Sequence, residues 1–117
     1  MAIPLTVEML AHAYDYLCCT PPFNKMNLPH SEDIKFIVSN HKDRFAHYQI
    51  MGGEHHIAVS GRHVSRHMAL LCALSHEMIH LYMEVNCLDE GNPHGKSFNR
   101  LADKVCKAHV EFDRSTF

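Results

Sequence analysis

From Val64 to about Asn86 the apolar residues recur at helical spacing, and this stretch constrains the fold more than any other. At about 100° per residue, Leu70, Leu71, Leu74, Met78, Leu81, Tyr82 and Val85 gather on one broad face, which has to pack against the rest of a domain. His76 and His80 fall on the opposite stripe with Ala69, Ala73, Met83 and Cys87. The alanines lie one and two turns before the histidines, so they leave room above that stripe.

The elements around this helix read from shorter patterns. Thr6 can cap a first helix, with Glu8 in its first turn and Val7, Leu10, Ala11, Tyr14, Leu17 and Cys18 on its apolar face. Thr20-Pro21-Pro22 stops it, and a loop runs to about His30. Three segments then alternate with period 2: Ile34, Phe36 and Val38; Ala46, Tyr48 and Ile50; Ile57 and Val59. Gly52-Gly53 reads as a hairpin turn, and a small three-stranded antiparallel meander is the economical expectation. After the long helix, Gly91 ends the segment, Asn92 can cap and Pro93 suits a first helical position. A last helix carries Phe98, Leu101, Ala102, Val105, Ala108 and Phe112 on its apolar face. Helix, three strands, long helix, helix is an α+β order, and 117 residues suit one domain over 1–117 with one core.

Composition narrows the class. Hydrophobic residues at 46% and charged residues at 21% indicate a globular chain and not a disordered one. A formal net charge of -2 gives no basic excess of the kind that nucleic-acid binding usually shows, although twelve histidines add positive charge as pH falls. The five cysteines include no CxxC pair, which predicts reduced thiols. The start, MAIPLTVEML, has neither a basic leader nor a long apolar run. The expectation is a cytoplasmic protein with no membrane association, in the host cytoplasm if the chain is virus-encoded.

His76-Glu77-Met78-Ile79-His80 is HExxH. Positions i and i+4 of a helix share a face, so two imidazoles can reach one metal at about 2.0–2.1 Å. Glu77, beside them, can take a proton from a water attacking a carbonyl and return it to the leaving amine. At this chain's own His and Glu frequencies the motif arises by chance roughly 0.07 times, so its setting on an amphipathic helix, off the core face, matters. A catalytic site needs a third ligand and an open fourth position. Asn86 stands six residues after His80, which excludes a third histidine there. Glu84 points about 40° round the helix from His80, an awkward angle. Glu90 and Glu111 are conceivable, and His94 in "NPHGKSF" is the stronger candidate, with Gly95 allowing close backbone approach.

"LSHEMIHLYMEV" followed by "HGKSFNRLADKV" resembles the SprT-like zinc metalloproteases, the group that includes Spartan-type proteases. The likeness covers roughly Ile57 to Val105 and joins HExxH to an HGxxF segment. It implies a zincin-like fold, one zinc ion held by His76, His80 and His94, and Glu77 as catalytic base of an endopeptidase acting on protein or peptide. For better-known members it also implies cleavage of proteins crosslinked to DNA. No cysteine-rich zinc ribbon or basic tail follows here and the charge is slightly acidic, so nucleic acid is a partner by resemblance but not by charge. A module of another kind is the alternative: zinc tying the last two helices together without turnover, with Cys87, Asp89 or Glu90 as fourth ligand.

The remaining candidates carry plainer expectations. His63 and His67 form a surface or substrate-facing pair, and His55-His56 start a strand in the open. His12, His30, His41, His47 and His109 are structural or solvated. Cys87 is a buried thiol near the site. Arg62, Arg66 and His67 form a solvated helix start. Asp89 or Glu90 could brace a ligand histidine, and Tyr48, His63 and Arg100 are candidates to stabilise an oxyanion.

Overall fold

A computed structural model describes residues 5–61, 67–88 and 91–117. Helix α1 spans Val7–Cys18, strands β1, β2 and β3 span Ile34–Ser39, Ala46–Met51 and Glu54–Ser60, and helices α2 and α3 span His67–Val85 and Lys96–Ala108. The class is α+β, as the periodicities indicate, but the sheet is mixed and not an antiparallel meander. Its order is β1-β3-β2. β2 and β3 form the expected antiparallel hairpin, whose turn has positive φ at both Gly52 (57°) and Gly53 (81°). β1 lies parallel to β3 on its other side, with Ile34 opposite His55 and Val38 opposite Val59.

The reason is in burial and in the crossing loop. β3 buries Ile57, Ala58, Val59 and Ser60, and a strand buried on both faces belongs in the middle of a sheet. β2 carries exposed Gln49, Ile50 and Met51 and suits an edge. Residues 40–45 need only step over one strand, roughly twice the 4.8 Å strand spacing. Buried Ser60 holds that crossing in place: its amide donates to Phe45 O at 2.7 Å and its hydroxyl to His41 O at 2.9 Å.

α1 begins as expected, with the Met9 amide donating to Thr6 Oγ1 at 3.2 Å. Its buried face is Leu10, Ala13, Tyr14 and Leu17; Val7, expected on that face, is exposed. α2 is buried more widely than one face, because it packs against α1, α3, β2 and β3 together. Ile79 and Met83 join Leu70, Leu71, Leu74, Met78 and Leu81 in the core, whereas Val85 is exposed. Val64 lies outside the described residues.

α3 starts three residues later than Asn92-Pro93 suggests. The Asn92 side chain accepts from the His94 amide at 3.0 Å, and the Gly95 amide donates to Asn92 O at 3.1 Å, which closes a turn ahead of the helix. The Asn99 amide group secures this turn by donating to His94 O at 3.0 Å and Gly95 O at 2.9 Å. A Cβ on Gly95 would lie 3.2 Å from Asn92 O, so the turn favours glycine there. α3 buries Ser97, Phe98, Leu101, Ala102 and Val105.

Candidate metal centre

His76 and His80 project from adjacent turns of α2, and His94 reaches them from the turn before α3. The three Nε2 atoms form a nearly equilateral triangle, with separations of 3.2 Å (His76–His80), 3.2 Å (His80–His94) and 3.3 Å (His76–His94). Nitrogens held tetrahedrally at 2.0–2.1 Å from a zinc ion lie about 3.3 Å apart. Three lone-pair-bearing nitrogens aimed at one point repel each other unless a cation lies among them, so the donor set fits a metal. Burial, then the neighbouring His80 and His94, push the His76 pKa down to about 4, which keeps it in the neutral form that ligates. Among the described residues the ligating group has these three members.

Phe98 is the wall on which the triad rests. It is 1% exposed, and its ring centroid lies 4.8 Å from each of His76, His80 and His94. The ring stacks on His80 at an interplanar angle of 27° and meets His94 nearly edge-on at 82°. One residue of α3 therefore orients ligands from two separate segments. Phe117 adds a further contact on His76, with centroids 5.9 Å apart.

Glu77 is 5% exposed. Burial pushes its carboxyl up to about 8, and a hydrogen bond from the Tyr48 backbone amide and the charge of Arg44 oppose that rise. The Tyr48 bond reveals how β2 is oriented. Its amide points away from β3 toward Glu77, and amides of residues two apart on a strand point the same way. The backbone edges of Ala46 and Ile50 consequently also face outward. A cleft of about 490 Å³ runs along this edge, lined by residues 46–50 of β2 and by His76, Glu77, His80, Met83, Pro93 and His94.

The structure places the remaining candidates, some as expected and some not. Glu84 lines the cleft but stands outside the ligand cluster, and Glu111 pairs with His109 at 3.5 Å. Cys87 is exposed, at a positive φ of 54°, and is not a buried thiol. His55 is partly buried, and its Nδ1 lies 2.7 Å from the Tyr48 hydroxyl. His109 is buried, 3.0 Å from Thr20 Oγ1, and His47 lines the cleft. Arg100 is exposed and does not line it. His63, Arg62, Arg66, Asp89, Glu90 and the His67 side chain lie outside the described residues. Arg44 and the Tyr48 amide escaped sequence reasoning. Arg44 sits in a segment with no motif, and a backbone donor has no residue identity to read.

Two histidines on α2 and one on the turn before α3, with a buried carboxyl group beside them and an open strand edge in front, give this α+β domain a group that could hold a metal ion. The chain belongs to the SprT-like family, whose model matches residues 10–116. That family is linked to metalloprotease-like proteins. No curated protein and no solved structure matches the chain. No helix among the described residues is long and apolar enough to cross a membrane.

Proposed function

We propose that this domain is a zinc-dependent endopeptidase of zincin-like fold, with His76, His80 and His94 as ligands and Glu77 as general base. The observation that carries the reading is the 3.2–3.3 Å Nε2 triangle beside the buried Glu77. Zinc held there supplies Lewis acidity, polarising a substrate carbonyl and making water nucleophilic at neutral pH. A peptide pairs with the outward backbone edge of β2, which sets its scissile bond across the triad. Glu77, oriented by the Tyr48 amide, accepts the proton of the attacking water and passes it to the departing amine nitrogen. Burial raises this carboxyl in the metal-free domain, and a zinc ion beside it would favour the carboxylate, the form that accepts a proton.

Among the described residues the ligating group has three histidines, the number that suits a catalytic zinc, whereas a structural zinc normally takes four protein ligands. Glu77→Gln is the direct test. The variant should bind zinc as wild type does and lose peptide cleavage by at least about a hundredfold, the low end of general-base contributions. Cleavage at the wild-type rate would overturn the assignment.

A further inference from the structure

A second cavity meets the cleft at the catalytic centre. It measures about 280 Å³ and shares Arg44, Ala46, His76 and Glu77 with the larger one. From there it continues the opposite way, toward the start of α2 and the last residues of the chain. Ala69, Cys72 and Ala73 of α2 line it together with Phe45 and Thr116. Beyond the shared rim, none of these side chains is charged.

We propose that this hollow is the specificity pocket of the peptidase, seating a bulky apolar side chain, aromatic or leucine-sized, from a residue flanking the scissile bond. The inference rests on the peptidase reading above. A peptide paired to β2 advances about 3.3 Å per residue, so a side chain next to the bond at Glu77 falls over the adjoining cavity. The hollow is large enough, since roughly 150 Å³ accommodates benzene. Its depth comes from the small residues of α2, where longer side chains would fill the space. Its far wall is fixed: Cys72 Sγ lies 3.3 Å from Thr116 Oγ1, and Arg114 anchors the terminal turn to Asp103 at 2.7 Å and Asn99 Oδ1 at 2.8 Å. Phe45 stands at the mouth, 62% exposed, where an apolar ligand would cover it.

The test uses zinc-loaded protein and four peptides that differ only in the residues flanking one bond: Phe, Leu, Ala or Asp. Wild type should favour Phe or Leu over Ala by at least about tenfold in kcat/KM. Ala69→Leu and Ala73→Leu narrow the hollow, and each should lower kcat/KM for the preferred peptide about 10- to 100-fold while changing the Ala peptide within about twofold. Ala69 is exposed, so its variant remains informative if Ala73→Leu fails to fold. Equal cleavage of all four peptides, a preference for Asp, or a uniform loss in the Ala69→Leu variant would overturn the proposal. If wild type cleaves none of them, the peptidase reading falls, and binding of the same peptides to Glu77→Gln decides the pocket. A Phe preference abolished by adding Ala69→Leu supports it; no preference sinks it.

Discussion

Phe98→Ala probes the link between core and site most directly. The ring is 1% exposed and wedged among three imidazoles at 4.8 Å, two of them on α2 and one on the turn before α3. Removing it costs the transfer free energy of six ring carbons plus a cavity term, about 3–5 kcal/mol for Phe→Ala in a core. The upper half of that range is expected, because the walls come from α2 and from the turn before α3, which cannot collapse inward independently. At a urea slope of about 1.5 kcal/mol/M, a loss of ~4 kcal/mol lowers the midpoint by ~2.7 M. The measurement is urea unfolding followed by circular dichroism, first with chelator and then with saturating zinc. Zinc adds RT ln(1 + [L]/Kd) to whichever form binds it, and each tenfold weaker affinity removes about 1.4 kcal/mol of that increment. With its imidazoles no longer braced by a common wall, the variant should gain less from zinc than wild type does. A midpoint change worth under ~1.5 kcal/mol, or an identical zinc increment, would refute the view that Phe98 organises the ligands.

Other outcomes follow from the same geometry. In metal-free protein the Glu77 carboxyl is raised from 4.5 to about 8, so the folded state holds a proton that the unfolded state releases between those values, and stability falls as pH rises through that window. Glu77→Gln should therefore stabilise the metal-free domain by roughly 3 kcal/mol at pH 7 and by almost nothing at pH 4, read from urea midpoints. His94→Ala should reduce zinc retained after dialysis from one ion per chain to a small fraction, measured by atomic emission, with the far-ultraviolet spectrum unchanged. Burial pushes the Cys18 thiol up to about 11, so at pH 8 iodoacetamide should alkylate it about a hundredfold more slowly than an ordinary thiol, as peptide mass spectrometry would show. With a net charge of -2, proteolysis should not respond to added single- or double-stranded DNA; strong activation would contradict the charge argument.

Local chemistry was legible and long-range pairing was not. Thr6 caps α1 and Gly52-Gly53 turns the hairpin because caps and turns involve neighbours in the chain. The partner of β1 could not be read, since alternation in Ile34, Phe36 and Val38 shows that a strand has a buried side but not which strand lies beside it. The start of α3 moved from Pro93 to Lys96 because Asn92 spends its side chain on the His94 amide in a turn. Cys87 leaves the histidine stripe because the helix ends at Val85 and a positive φ at Cys87 turns the chain.

What the sequence determined by itself is the chemistry available on one helix. HExxH at i and i+4 places His76 and His80 on adjacent turns wherever that helix packs, and Glu77 next to them. Tertiary structure alone decided the rest of the site. Packing of α3 on α2 carries His94 to 3.2–3.3 Å from the other two imidazoles and sets Phe98 against all three. Placement of β2 at the sheet edge turns the Tyr48 amide toward Glu77 and leaves an apolar hollow beside it. Spacing along a helix is fixed by its hydrogen bonds. The approach of separate segments is set by how their buried faces fit, which no local pattern encodes.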